Sequence, residues 1–473
     1  MAALLAARPL AAAQRPNTRP NILLILSDDH SRPFVGCYGN PTIRTPNLDR
    51  FAGEGMRFDR AFTAAPQCVP SRAALMSGRS PVAVRMGRFN SPLPPEVVTL
   101  PEHLRAQGYF TGICRRNFHL DGPGPGRLTP EVQEIYDKHK LMTFDRRVDY
   151  LDRNSGPNQT VAKVTEFFDR VPKEKPFFLW LNFNDPHHVW DKLGTHDPAK
   201  IYLPPTLPDL PGVRGDLARY YDEVARMDGE FQSVVDLLKA RGTADNTIVV
   251  FMGDNGYAFP HGKGSLYDLG LNVPLIVRWP GTVRNGSATS ELISGEDIAP
   301  TLLEAAGAAV PKEMSGRSFL KLLRGESHQG RRYIFGQRLH HGSSIFDENT
   351  KASGFDLSRC VRSQRHKLIY NCTPHMVYQP VDSANDPGWR EMVEAHKAGR
   401  LAPVFDRSYF THPRPVVELY DLEKDPAELH NLAGRPEHAA LEHELKLALQ
   451  EKMILDYDFL PLPLPITPPP RRP

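Results

Sequence analysis

Asn21-Ile22-Leu23-Leu24-Ile25-Leu26 is an unbroken, mostly apolar run that ends abruptly in Ser27-Asp28-Asp29-His30. A run this short, without polar alternation, is the pattern of a strand buried on both faces. Two adjacent carboxylates at the end of such a strand are costly unless a cation or protons neutralise them. The structural alternative is a helix cap or a solvated turn, common for Asp pairs. Position favours function, because ligands of open α/β sheets bind outside the carboxyl ends of the strands.

The same arrangement recurs three times along the chain. Tyr109 to Cys114 reads as a strand running into Arg115-Arg116-Asn117-Phe118-His119, and Pro176 to Phe183 as one ending in Asn184-Asp185-Pro186-His187-His188. Thr247 to Met252 ends in Gly253-Asp254-Asn255-Gly256. Helical patterns lie between them at Leu100 to Gln107, Val161 to Arg170 and Asp216 to about Arg241. Strands alternating with helices predict an α/β fold, a large mainly parallel sheet sandwiched by helices. A strand at Val273 to Trp279 and a helix at Asp297 to Ala306 complete this part.

From about Arg331 the texture changes to short strands joined by irregular loops. They are Tyr333 to Gly336, Leu357 to Ser363, Lys367 to Tyr370 and Val417 to Tyr420, followed by a helical stretch from Ala439 to Met453. This predicts a smaller C-terminal α+β domain with an antiparallel sheet. The expected organisation is a tail at 1–18, a catalytic domain at 19–330, the α+β subdomain at 331–459 and a proline-rich tail at 460–473.

Composition bounds the function. The chain has 473 residues, of which 40% are hydrophobic and 24% charged, a globular balance that leaves no room for a largely disordered protein. A net charge of +3 gives no case for nucleic acid, and a local basic pocket can still bind an anion. Five cysteines, Cys37, Cys68, Cys114, Cys360 and Cys372, imply no disulfide framework, although Cys360 and Cys372 could pair across a hairpin. No apolar run is long enough for an ordinary membrane span. Met1 to Gln14 is alanine-rich and ends in Ala-Ala-Ala-Gln, like the end of a secretory signal, but Arg8 and Pro9 interrupt it and a basic leading segment is missing. A signal remnant implies a periplasmic or secreted protein; a plain tail implies a cytoplasmic one.

Between the first two strands stands Pro66-Gln67-Cys68-Val69-Pro70-Ser71-Arg72-Ala73-Ala74-Leu75-Met76-Ser77-Gly78-Arg79. It resembles the C-x-P-S-R-x-x-x-[LM]-[TS]-G signature of the type I sulfatases of the alkaline-phosphatase superfamily. Glu418-Leu419-Tyr420-Asp421, Asp425-Pro426 and Asn431-Leu432-Ala433 resemble the C-terminal region of the same family, so the likeness spans almost the whole chain. Such a family member has an alkaline-phosphatase-like fold. Its cysteine is oxidised after synthesis to formylglycine, whose hydrated aldehyde is the nucleophile. The resemblance therefore implies a formylglycine-generating enzyme as a partner.

Asp28, Asp29, Asp254 and Asn255 offer only oxygen ligands, which favour Ca²⁺, Mg²⁺ or Mn²⁺ over zinc. The resemblance implies that these four, with an oxygen of modified Cys68, hold one divalent cation, Ca²⁺ before Mg²⁺ or Mn²⁺. Such an ion is a Lewis acid that lowers the pKa of an attacking hydroxyl. Arg72 and Lys263, the latter in His261-Gly262-Lys263-Gly264-Ser265-Leu266-Tyr267, are the fixed cations expected to stabilise a sulfo group in transfer. His119 and His187 are the acid/base candidates, because imidazole titrates closest to neutrality. By resemblance, His119 takes a proton from the second hydroxyl of the sulfated hydrate. His187, with Lys263, binds sulfate or protonates the leaving group, and His188 is the spare neighbour.

One departure matters. Sulfatases usually carry a lysine two residues before the histidine matched by His119, and here that position is Asn117, preceded by Arg115 and Arg116. Arg116 could supply the charge from a shifted backbone, or the pocket holds a less anionic or differently angled group. Within the family the nearest resemblance is to heparan N-sulfatase (sulfamidase). Phe183-Asn184-Asp185-Pro186-His187, Asp254 to Pro260 and Tyr220 to Asp228 carry it, with weaker support from Gly342 to Tyr370. It implies hydrolysis of a sulfamate or sulfate ester on a glucosamine-type saccharide, with Arg116, Asn117, His340 and His341 as candidate substrate contacts. A homodimer is compatible with it. The alternatives are a phosphonate or phosphate diester hydrolase of the same superfamily, and a catalytically silent glycan-binding protein suggested by Asn117 alone.

Overall fold

The computed structural model describes residues 19–89, 91–115, 117–122, 128–141, 143–152, 157–341 and 353–467. The expected N-terminal tail at 1–18, Arg116 and the side chain of Asn117 lie outside the described residues, as do 342–352 and 468–473.

An eight-stranded sheet forms the larger part. Its order is Tyr150–Asp152, Phe110–Cys114, Phe177–Asn182, Asn21–Ser27, Thr247–Gly253, Leu275–Arg278, Met56–Phe58 and Ser287–Thr289. The first five strands run parallel, and Leu275–Arg278 is antiparallel to both of its neighbours. The central Asn21–Ser27 strand is buried throughout. Its alternate residues feed two separate cores: Leu23 and Ile25 on one face, Ile22, Leu24 and Leu26 on the other. That double burial is why the run reads as apolar without alternation.

On the first face lies the 30-residue helix Pro211–Ala240, which buries Leu217, Tyr220, Val224, Met227 and Phe231. On the second lie the helices Cys68–Ser77, Leu100–Ala106 and Ile298–Ala305. The long helix starts five residues before the expected Asp216, because Pro211 occupies its first turn, where a missing N–H costs nothing. Gly212, Arg214 and Gly215 before Asp216 hide that start from hydrophobic periodicity.

A second, four-stranded sheet is antiparallel throughout, in the order Ile334–Arg338, Ser358–Arg362, His366–Asn371 and Val417–Asp421. Helix Ala439–Leu455 covers one face, packing Leu445, Leu449 and Met453 on Val361, Leu368 and Leu419. The other face carries Cys360, Ile369 and Tyr420 onto Phe62, Leu266 and Leu271 of the larger part. Cys360 and Cys372 do not pair; all five cysteines are free. Helices Pro387–Lys397 and Pro403–Phe410 lie between the last two strands and were not anticipated. Trp389 and Met392 of the former join the core beneath the long helix. No helix among the described residues is long and apolar enough to cross a membrane.

One acid on the long helix makes stability depend on pH. Glu223 is buried and accepts a hydrogen bond from the Asp191 N–H at 2.8 Å, with Arg226 at 3.4 Å. Burial pushes its carboxyl up to about 8. The native state then keeps a proton that the unfolded chain releases, so stability falls as pH rises from the ordinary carboxyl range toward 8. Glu223→Gln should flatten that fall, by up to about 1.4 kcal/mol per pH unit. Denaturant midpoints at about pH 5 and about pH 8 measure it; equal losses in both proteins would contradict it.

Candidate active site

Strands Asn21–Ser27 and Thr247–Gly253 are neighbours with Ser27 opposite Gly253, so the residues that follow them emerge side by side. Asp28, Asp29, Asp254 and Asn255 are all fully buried at this edge. Backbone bonds lock the two turns together: Asp254 N–H donates to Ser27 O at 3.0 Å, and His30 N–H to Asn255 O at 2.7 Å. Asp29 takes a left-handed conformation, φ 61°, and its N–H donates to Asp254 Oδ1 at 3.0 Å.

Cys68 opens a helix, Cys68–Ser77, that is buried along its whole length and ends at Gly78 with φ 64°. The sequence pattern left this stretch as a motif without an element. The helix N-terminus brings Cys68 Sγ to 3.5 Å from Asp28 Oδ1 and 3.9 Å from Asp29 Oδ1. Arg72, one turn on, shares the Cys68 face and reaches Asp28 and Asp254. Its Nε lies 3.0 Å from Asp254 Oδ2, its Nη2 3.1 Å from Asp28 Oδ2, and its Nη1 donates to Asn182 Oδ1. Buried in this way, the guanidinium is a structural counter-charge as much as a ligand. Arg72→Met should cost about 3–5 kcal/mol, because Asp28 and Asp254 lose their buried partner. Unfolding in denaturant measures it, and a loss below about 1 kcal/mol would contradict the assignment.

Lys263 enters from the loop after Asp254. Gly262 allows the close turn: a Cβ there would stand 2.1 Å from Tyr257 O. The Lys263 N–H donates to Tyr257 O at 2.7 Å. Its Nζ lies 2.8 Å from Asp29 Oδ1, 3.3 Å from His187 Nε2 and 2.6 Å from Asp382 Oδ2. Burial disfavours the ammonium, but Asp29 and Asp382 outweigh it and hold Lys263 charged. His188 points elsewhere, to Asp386 at 2.9 Å, so His187 is the histidine of the pair that faces the cluster.

His119 is buried in the short turn Asn117–Leu120, against which the Cys68 helix packs. His340 donates its N–H to Gly87 O at 3.3 Å and turns its ring toward Phe355, whereas His341 is carried to the site by a segment anchored by Gln67. That side chain grips the Leu339 backbone twice, Nε2 to the carbonyl at 3.0 Å and Oε1 from the N–H at 2.9 Å. His341 Nε2 then lies 3.2 Å from Asp382 Oδ1. Gln67, Asn182 and Asp382 were missed from the sequence. Gln67 and Asn182 sit beside motif residues, whereas Asp382 lies in a loop with no local pattern.

The donor set suits a hard divalent cation. Burial, reinforced by the neighbouring carboxylates, pushes Asp254 up to about 7; burial, partly offset by Lys263, lifts Asp29 to about 6. Asn255 Oδ1 is a buried acceptor with no hydrogen-bond donor among the described residues. Ligand atoms of Asp28, Asp29, Cys68 and His187 lie within 4.8 Å of one another. Three carboxylates against the charges of Arg72 and Lys263 leave an excess of negative charge that a cation would cancel. Burial also pushes the Cys68 thiol well up, so as encoded it stays protonated and a poor nucleophile.

A mostly parallel sheet thus carries a helix-borne cysteine over paired strand-end carboxylates. The chain belongs to the sulfatase family: residues 20–308 match the Sulfatase model, and residues 256–408 match that of the N-sulphoglucosamine sulphohydrolase C-terminal region. It is 27% identical to an ulvan-active sulfatase of Formosa agariphila over 90% of this chain and 78% of that one. It is 29% identical to human N-sulphoglucosamine sulphohydrolase over 90% of this chain and 88% of that one. Among solved structures, one in complex with its substrate D-glucosamine-2-N,6-O-disulfate superposes with a TM-score of 0.67 at 19% identity, covering 93% of this chain and 99% of that one. The phosphonate monoester hydrolase of Agrobacterium radiobacter gives 0.65 at 19% identity, covering 93% and 95%. The chain is a hydrolase of sulfate esters or sulfamates, and its family generally uses a metal and formylglycine.

Proposed function

We propose that this sulfatase removes sulfate from a glucosamine-type saccharide, as a sulfamate or a sulfate ester, with Cys68 matured to formylglycine as its nucleophile. The observation that carries the reading is the convergence of Cys68, four oxygen-ligand residues, Arg72, Lys263 and His187 on one buried strand edge. The matched C-terminal model and the human relative favour the glucosamine sugar; the ulvan-active relative shows that other sugars lie within reach of the family.

Cys68, once matured, would supply the attacking oxygen, and Asp28, Asp29, Asp254 and Asn255 would hold a divalent cation, Ca²⁺ by preference, that would supply Lewis acidity. The protein's own side chains do the rest. Arg72 fixes Asp28 and Asp254 in place. Lys263 presents a full positive charge to the sulfo oxygens, where negative charge builds in the transition state. His187, 3.3 Å from Lys263 Nζ and partly exposed, is placed to give a proton to the departing amine or oxygen. His119 accepts the proton whose removal releases sulfate. His340 and His341 contact the sugar from the 331–459 subdomain, and the 19–330 domain carries the chemistry. A formylglycine-generating enzyme is the maturation partner.

Sulfate release from N-sulfoglucosamine and from glucosamine 6-O-sulfate tests this, with protein co-expressed with a formylglycine-generating enzyme. Release from the N-sulfo sugar is expected. Release from the O-sulfated isomer alone would discard the sulfamate, and release from neither would discard the sugar. A phosphodiester run alongside tests the second reading, which rests on the shared fold of the phosphonate hydrolase. Preference for it would overturn the sulfate assignment.

A further inference from the structure

Asp382 belongs to the loop between strand His366–Asn371 and helix Pro387–Lys397, far in sequence from the Cys68 motif. The loop is fixed against the site from both sides. At Gly264, φ +76°, a Cβ would stand 2.6 Å from Val381, so the lysine loop and this loop are in close contact. Asp386, four residues on, holds His188 at 2.9 Å. Asp382 itself uses one oxygen on Lys263 and the other on His341.

Exposure identifies what a ligand meets first. Asp29 and Lys263 are sealed, with 0% and 1% of their side chains exposed, and His341 is 11% exposed. His187 and Asp382, on either side of Lys263, are each 23% exposed. Among the described neighbours of Lys263, the two part-exposed ones are therefore an imidazole and a carboxylate. An ionised carboxylate only accepts hydrogen bonds, and its two oxygens have more acceptor sites than two partners fill. It suits a hydroxyl or an amine and repels a second sulfate.

Resting on the saccharide reading above, we infer that Asp382 is a specificity residue that accepts a hydrogen bond from a hydroxyl or amine on the ring carbon next to the scissile group, and so excludes substrates sulfated there. The assignment narrows the substrate class to sugars whose neighbouring position is already free of sulfate. Reactions that remove that neighbouring sulfate must then precede this enzyme.

The test compares kcat/KM of the matured enzyme for N-sulfoglucosamine and for its 3-O-sulfated form, with sulfate release from the nitrogen as readout. Damage to Lys263 affects both substrates alike, so the ratio reports on the neighbouring position alone. The wild type is expected to prefer the 3-hydroxyl substrate about 100-fold. Asp382→Asn and Asp382→Ala should each reduce that preference by at least about tenfold, and Asp382→Glu should retain most of it. A wild type that cleaves both equally, or prefers the disulfated sugar, would overturn the inference without any variant. So would a preference left intact in folded Asp382→Asn. If the matured enzyme releases sulfate from an aryl sulfate and from neither sugar, the saccharide reading falls, and this inference with it.

Discussion

Cys68→Ala should reduce sulfate release by at least about 10⁴-fold while leaving the fold intact, because on the proposed mechanism the substitution deletes the nucleophile. Among the described residues, the Cys68 side chain donates only to Asp28 and Asp29. Its loss should therefore cost only about 1 kcal/mol of stability. Cys68→Ser is the sharper companion. It keeps an oxygen in place of sulfur but cannot become the aldehyde hydrate, so it should remain well below wild type. The same reasoning applies to wild-type protein made without the maturation enzyme, because the buried thiol is held protonated. Initial rates with circular dichroism as the fold control measure all three. Alanine or serine variants with more than about a tenth of wild-type activity would remove Cys68 from the mechanism.

The second large effect is on the cation. Stripping it with a chelator should abolish sulfate release and also lower stability, because Asp28, Asp29 and Asp254 are fully buried and outnumber Arg72 and Lys263. A ligand present at about a thousand times its dissociation constant contributes about 4 kcal/mol to the folded state, so the melting midpoint should climb with added cation. Oxygen-only ligands set the order: Ca²⁺, Mg²⁺ or Mn²⁺ should restore activity where zinc does not. Asn255→Ala removes an acceptor that no hydrogen-bond donor fills. It should weaken apparent cation affinity by about tenfold or more, with activity regained at higher cation. A melting midpoint unmoved by chelator or cation would contradict a cation in this cluster.

The parts of the chain that could be read from sequence were those where local pattern and global position agree. The apolar runs at Asn21, Phe110, Phe177 and Thr247 became the parallel core, because a strand buried on both faces must be apolar throughout. Asp28, Asp29, His187, Asp254 and Asn255 fell together because parallel strands place such ends on one edge. The antiparallel C-terminal sheet was read within one or two residues at most strand ends. What stayed hidden had no periodicity to announce it. The Cys68 helix is buried all round, so it shows no polar face. Helices Pro387–Lys397 and Pro403–Phe410 begin at prolines that otherwise read as loop punctuation. Asp382 and Gln67 act through tertiary contacts with Lys263 and Leu339, and their neighbours in sequence give no sign of this. Between the adjacent histidines, geometry distinguishes what the sequence leaves open: His187 faces Lys263 and His188 faces Asp386.

The most direct test of the central claim is to correlate maturation with turnover. Preparations co-expressed with graded amounts of a formylglycine-generating enzyme would be analysed by peptide mass spectrometry for the fraction of Cys68 converted, and assayed in parallel for sulfate release. Activity should rise in proportion to the converted fraction and extrapolate to zero with none converted. Full activity from protein in which Cys68 is still a thiol would contradict the mechanism at its first step.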